Sequence, residues 1–315
     1  MTSPIPGAVP VPVAVTVAVP GAAAGPARVL VTGAAGMIGR SVTEHLRSRG
    51  VAVTALVLED PGDLRADRVV VGDAADPGAV RRALADVDAV VHLAALPSPH
   101  EGTPLEVFGG NTRATFVVLE EAGQAGVRRV VFASSYSLVG LPWSATVRHP
   151  AYLPIDEALP LQIEDAYGLS KLVDETVAQM MARRHGLAAV GLRFPLVTNE
   201  RRAADRLAET LADPIAGAPD LWSYLDVRDA AQACWLAITV PLTGCHAVFL
   251  AAPQTLAPYP TAELVAAYHP TSEIRRELAS REVPIDTGAA RRLLGFEPRY
   301  SIELATLPFP GAVPA

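Results

Sequence analysis

The chain has 315 residues, half of them hydrophobic and only 5% aromatic, and a formal net charge of −7. That length holds one large α/β domain, or a large domain with a small second one, over a core filled chiefly by Ala, Val and Leu. The negative charge excludes a general nucleic-acid binder, which needs a basic face; the two cysteines, Cys234 and Cys245, lack metal spacing, cannot make a disulfide framework, and fit a reduced cytoplasmic compartment.

Residues 1–26, "MTSPIPGAVPVPVAVTVAVPGAAAGP", form a separate compositional block. Recurrent prolines make it a poor helix. It lacks the basic n-region and unbroken apolar run of a signal peptide. It is read as a disordered extension. No stretch of the chain is apolar and uninterrupted over the length needed to span a bilayer, so no membrane partner is expected.

"RVLVTGAAGMIGRSVTEHLRSRG" (28–50) reads strand, tight turn, helix. Apolar runs over 51–60, 67–73 and 87–96 predict three further strands, with a helix over 77–86. A helix over 111–126 ends in glycine, a common stop signal. A fifth strand spans 127–135, a long helix 165–186 and a sixth strand 187–195. Nearly all-apolar strands alternating with helices imply a parallel sheet covered on both faces, a Rossmann-type doubly wound α/β fold. The dinucleotide-binding core is expected over 27–195. After Pro195 prolines multiply, and 196–315 reads as a small substrate-side region partly contributing to the core.

The turn after the first strand carries Gly33, Gly36 and Gly39. Glycines here let backbone N–H groups and the helix N-terminus approach a pyrophosphate. Dinucleotide sites also carry an acid after the second strand, where it bonds the ribose 2′-hydroxyl. Glu59 and Asp60 are the candidates; the alternative makes them turn residues before Pro61 and Gly62. No arginine between Arg49 and Arg65 offers itself to a 2′-phosphate, so NAD is favoured over NADP.

"AYGLSKLVDE" (166–175) holds the chain's only lysine, Lys171; the other 25 of its 26 basic residues are arginine. Tyr167 stands one helical turn before it, on the same face. An ammonium beside a phenol favours the phenolate, a general base for a substrate hydroxyl. Lysine is also a compact charge that can hold ribose hydroxyls. Ser134 and Ser135 end the fifth strand, at the edge where open parallel sheets bind ligands. A hydroxyl there can donate to a developing alkoxide, or simply cap a turn. His92, His100, His149 and His246 are scattered without ligand spacing, so no metal is expected. Asp226 and Asp229 read as capping and packing residues.

The pieces "VTGAAGMIG", "VVVGDAAD", "VVHLAA", "NTRATFVVLEEA", "VVFASS", "YGLSK", "WSYLDVRDAAQA" and "LLGFEPRYS" run in order from about residue 28 to 301. Together they resemble the extended short-chain dehydrogenase/reductase family, the NAD-dependent epimerases and dehydratases. The resemblance implies Tyr167 as base, Lys171 as its partner and ribose ligand, and Ser135 as hydroxyl donor. It implies Gly33, Gly36, Met37, Ile38 and Gly39 around the pyrophosphate, and Asp73 and Ala74 at the adenine. Leu93, Ala94 and Ala95 would line the cofactor cleft, with Asn111 in the active-site helix and Phe194 and Pro195 near the nicotinamide. It also implies a homodimer pairing the helices at 111–126 and 165–186.

Several positions depart from the family pattern. Tyr136-Ser137 stands where dehydratases carry Asp-Glu, which disfavours dehydration. The segment between Pro195 and Asp226 is shorter than in sugar-nucleotide enzymes and resembles the smaller uronate-dehydrogenase-like branch, whose Asn-His after the two serines is absent. Arg201, Arg202 and Arg206 are candidates for contact with an acidic substrate, or solvated helix charges. The expected function is hydride transfer at a hydroxyl or carbonyl of a small polar molecule. The alternatives are sugar-nucleotide epimerisation with tightly held NAD and non-catalytic dinucleotide sensing.

Overall fold

The computed structural model describes residues 25–311. The disordered reading of residues 1–26 lies outside the described residues, save for Gly25 and Pro26. Eleven strands and eight α-helices are described, in the order β1 (Arg28–Thr32), α1 (Met37–Arg47), β2 (Ala52–Val57), β3 (Arg68–Val71), α2 (Pro77–Ala83), β4 (Ala89–His92), α3 (Pro104–Gln124), β5 (Arg129–Ser135), β6 (Tyr152–Leu153), α4 (Ala166–His185), β7 (Ala188–Phe194), β8 (Leu196–Thr198), α5 (Glu200–Ala212), β9 (Tyr224–Asp226), α6 (Val227–Thr239), β10 (Cys245–Phe249), α7 (Thr261–Tyr268), β11 (Glu273–Ile274) and α8 (Gly288–Leu294).

Seven strands form one parallel sheet in the order β10-β7-β5-β4-β1-β2-β3. Successive side chains along a strand point to opposite faces. In β1, Val29 and Val31 therefore enter the core under α1, α6 and α8, while Leu30 enters the core under α2, α3 and α4. Both faces are dry, which is why these strands read as unbroken apolar runs. The fold expected from the sequence is the fold observed.

Helix α3 starts at Pro104, not at 111. Thr103 caps it, and the Thr103 and Glu106 side chains exchange bonds in a capping box. Gly109 and Gly110, poor helix formers, hid this first stretch in the sequence. The segment after Pro195 supplies β10 to the edge of the main sheet and α6 to one of its faces. It also pairs its own β8 with β9, and its β11 pairs with β6 from the preceding segment. Asp226 caps α6, accepting from the Arg228 N–H at 2.8 Å. Asp229 accepts from the Arg299 and Tyr300 N–H groups and ties down the C-terminal segment. Among the described residues no helix is long and apolar enough to cross a membrane.

Candidate active site

β1 has β2 on one side and β4 on the other, so the chain winds outward in both directions from this pair. A crevice opens at the carboxyl ends of strands at such a point. Gly33 follows β1 and Leu93 follows β4, so both turns border it. Thr32 holds the two strand ends together: its Oγ1 accepts from the Leu93 N–H at 3.1 Å and lies 2.7 Å from His92 Nδ1.

Gly33 has φ of 64°, and a Cβ on it would sit 2.8 Å from the Ala94 nitrogen. A Cβ on Gly39 would sit 2.3 Å from the Gly33 carbonyl oxygen. Any side chain at either position collides with backbone. Gly36 stands at the N-cap of helix α1 and offers no side-chain cap, whereas α2 to α6 are each capped by a side chain. The free N–H groups and positive helix end of α1 thus face the cleft, a ready site for an anion.

One cleft of about 1480 Å³ runs from this turn across the sheet edge. Gly33, Gly36, Met37, Ile38, Gly39, Glu59, Asp73, Ala74, Leu93, Ala94, Ala95, Asn111, Ser135, Tyr167, Lys171, Phe194 and Pro195 all line it. The residues singled out along the sequence thus converge on one surface. Of the two acids after β2, Asp60 is turned back on the Gly62 N–H at 2.9 Å, leaving Glu59 the freer carboxylate.

Helix α4 places Tyr167 and Lys171 together. Asp165 caps the helix through the Gly168 N–H at 2.7 Å, which fixes its first turn. Lys171 Nζ lies 5.6 Å from the Tyr167 ring centre. It also donates to Asp174 Oδ2 at 3.1 Å, inside a buried pair. Burial pulls the ammonium's pKa down, but Asp174 and Tyr167 outweigh it and hold the pKa above the usual lysine range. Asn111 braces the helix from α3, donating to Ser170 Oγ at 3.1 Å. Behind it, His92 is buried between Thr32 and Thr115, and burial followed by the Lys171 charge lowers its pKa to about 3.

The two serines part company. Ser134 donates to Glu175 Oε1 at 2.6 Å, and Glu175 is held by a two-pronged buried pair with Arg193. Ser134 is therefore committed to the scaffold. Ser135 Oγ accepts from the Ser137 N–H at 3.1 Å and from the Ser137 hydroxyl at 2.9 Å. Its own proton remains to be donated toward the cleft.

The model of the family described as NAD dependent epimerase/dehydratase matches residues 29–249. The chain belongs to that family. Uronate dehydrogenase of Pseudomonas syringae pv. tomato is 33% identical over 182 residues, covering 55% of this chain and 62% of that protein. The match thus spans less than two thirds of that relative's length. The 3-diazoavenalumate denitrifying reductase of a Streptomyces species is 33% identical over 234 residues, covering 69% of this chain and 74% of that protein. A short-chain dehydrogenase/reductase superfamily protein from Agrobacterium tumefaciens, solved with bound NAD, superposes with a TM-score of 0.66 at 25% identity, over 87% of this chain and 93% of that one.

One cleft residue of this family member, and the buried partner of another, escaped the sequence reading. Trp143 packs edge-on against Tyr167, ring centres 5.5 Å apart. It lies on the loop after β5, where no periodicity marks a position; its only signal was the scarcity of aromatics. Asp174 sits at the i+3 position from Lys171, a spacing visible but unweighed. Of the three arginines after β8, Arg202 and Arg206 line the far end of the cleft and Arg201 does not. Arg206 is bound to Asp220 and, at 3.0 Å, to Glu209, so it is a paired charge rather than a solvated one.

Proposed function

We propose that the protein is an NAD-dependent oxidoreductase acting on a hydroxyl or carbonyl of a small molecule, with Tyr167 as the proton-exchanging group. The observation carrying this is the Tyr167–Lys171 pair on one face of α4, over a cleft that begins at an uncapped helix end and a glycine turn with no room for side chains. The family's dependence on NAD, and the NAD bound in the Agrobacterium protein, support the cofactor.

These residues fit NAD. The α1 N-terminus, with Gly33, Gly36, Met37, Ile38 and Gly39, would take the pyrophosphate. Glu59 would accept from the adenosine ribose, with Asp73 and Ala74 by the adenine. Leu93, Ala94, Ala95, Asn111 and Phe194 would border the rest of the dinucleotide. When bound, NAD supplies the hydride acceptor or donor. The chain's own groups handle the proton and the oxygen. Ser135 donates to the substrate oxygen and orients it. Tyr167 Oη takes the hydroxyl proton in oxidation and returns one in reduction. Lys171, one turn along α4, would offer an N–H to the nicotinamide ribose.

The second reading, epimerisation with NAD never released, is supported by the UDP-glucose 4-epimerases among its relatives, such as that of Streptococcus mutans at 34% identity over 176 residues. The short segment after β8 and the likeness to a uronate dehydrogenase favour net redox. Residues 27–195 would form the cofactor half and 196–315 the substrate half. We place the protein in the cytoplasm, where its free Cys234 and Cys245 stay reduced. It acts as a homodimer through α3 and α4, whose outer sides leave Phe116 and Leu169 exposed, and the charge of −7 argues against nucleic acid.

The test is calorimetric titration with NAD and NADP after checking absorbance for cofactor already bound. Reversible binding with preference for NAD supports the dehydrogenase. Cofactor that arrives bound and does not exchange moves the assignment to the epimerase. Binding of neither overturns both.

A further inference from the structure

The substrate end of the cleft has unusual walls for a polyhydroxyl ligand. Trp143 stands beside Tyr167, and Pro142, Leu196, Val197 and Pro219 line the same cleft. Trp143 is 40% exposed, and its backbone is in the left-handed region at φ of 57°. A bulky non-glycine residue rarely adopts that conformation unless its surroundings impose it. The indole is held between two rings, edge-on to Tyr167 at 5.5 Å and to His100 at 6.4 Å.

Several polar side chains around this end are engaged by protein partners, leaving Asp205 and the outer N–H groups of Arg202 as its open polar groups. Arg206 is taken by Asp220 and Glu209. The Tyr136 hydroxyl donates to the Pro219 carbonyl at 3.1 Å. The Ser137 hydroxyl donates to Ser135 Oγ at 2.9 Å. Arg202 donates to the Val197 carbonyl at 3.2 Å. A sugar carries several hydroxyls, each costly to bury without a partner. A flat ring needs apolar walls and one polar handle at the reacting carbon, and an indole offers it edge-to-face or stacked contact.

We infer that the substrate presents a planar aromatic ring to Trp143, with its reacting oxygen between Ser135 and Tyr167. This inference rests on the dehydrogenase reading above and narrows its substrate to aryl alcohols and aryl carbonyls. Trp143 is then a specificity-determining residue, and the loop carrying it forms one wall of the substrate site.

Calorimetry on the NADH-loaded protein tests this with 4-hydroxybenzyl alcohol and D-galacturonate as probes. The aromatic probe is expected to bind at least about tenfold more tightly. Trp143→Ala should weaken it about tenfold and leave NADH binding unchanged, while Trp143→Phe should keep it within about threefold. If Trp143→Ala fails to fold, Trp143→Leu is measured in its place. Equal or tighter binding of galacturonate, binding of neither probe, or an unchanged affinity in the alanine variant overturns the inference. Failure to bind NADH at all instead sinks the dehydrogenase reading beneath it.

Discussion

Lys171 Nζ and Asp174 Oδ2 lie 3.1 Å apart with side chains 4% and 1% exposed, so the chain's only lysine is neutralised by a carboxylate one turn further along its own helix. Without Asp174, burial would dominate and pull the ammonium's pKa down. Asp174→Asn should therefore shift the alkaline limb of the kcat/KM profile to lower pH, as Lys171 loses its proton earlier. Breaking a buried pair also costs about 3–5 kcal/mol of stability, read by denaturant unfolding. A destabilised variant with an unmoved pH profile would leave Asp174 with a structural role only.

Tyr167→Phe should bind NAD as the parent does and lose turnover by orders of magnitude, about 10²–10⁴-fold for a proton-transfer group. Lys171→Arg keeps the charge but not its shape, and should also be badly impaired. Calorimetry and steady-state assays separate the two effects. Unchanged turnover in Tyr167→Phe would falsify the assignment.

The adjacent serines should differ in turnover. Ser135→Ala should lower kcat about 10²-fold, beyond the ~1–3 kcal/mol of stability lost with its two bonds from Ser137. Ser134→Ala deprives Glu175 of its 2.6 Å partner and should cost about 1–3 kcal/mol of stability while kcat stays close to the parent's. The reverse pattern exchanges their roles.

Gly39→Ala drives a methyl group into the Gly33 carbonyl, 2.3 Å from the ideal Cβ. The turn must shift, and NAD affinity should fall at least about tenfold. Gly109→Ala, likewise inside a helix but with open space around the added methyl, serves as the control for the substitution without a clash.

Two buried histidines predict how stability responds to acid. Burial lowers the pKa of His92 to about 3 and that of His269 to about 4, against 6.5 for the ordinary side chain. Below pH 6.5 the unfolded chain binds protons that the folded one refuses. Stability from both groups is therefore full above pH 6.5 and is lost as pH falls toward 4 and then 3. Each contributes a slope of up to about 1.4 kcal/mol per pH unit in that window. Urea midpoints between pH 7 and 4.5 should fall, and His269→Asn should flatten the curve.

The sheet was readable because its strands are buried on both faces, so apolar runs in β1, β4 and β5 stand out against their flanks. The glycine turn was readable because Gly33 and Gly39 meet backbone, a constraint written into residue identity. The Tyr167–Lys171 pair was readable because helical spacing fixes which side chains share a face. Trp143 was not, because its position depends on a loop path that no period encodes. Ser135 rather than Ser134 came from the family resemblance; the bond that engages Ser134 was hidden, because Glu175 is distant in sequence and anchored by Arg193. The early start of α3 was hidden because Gly109 and Gly110 weaken the signal that Thr103 and Glu106 create.

A chain with one lysine has a single ε-amine, and the fold buries it beside Asp174. Amine-directed reagents and enzymes that acylate or tag lysine therefore find no side-chain target on the outer surface, and reach this one only through the cleft that Lys171 lines. Modification at position 171 becomes a gauge of the cleft: the rate at which that nitrogen is labelled reports whether the cleft is open or filled. The group that gives the site its charge is thus also a built-in probe of the cleft's occupancy.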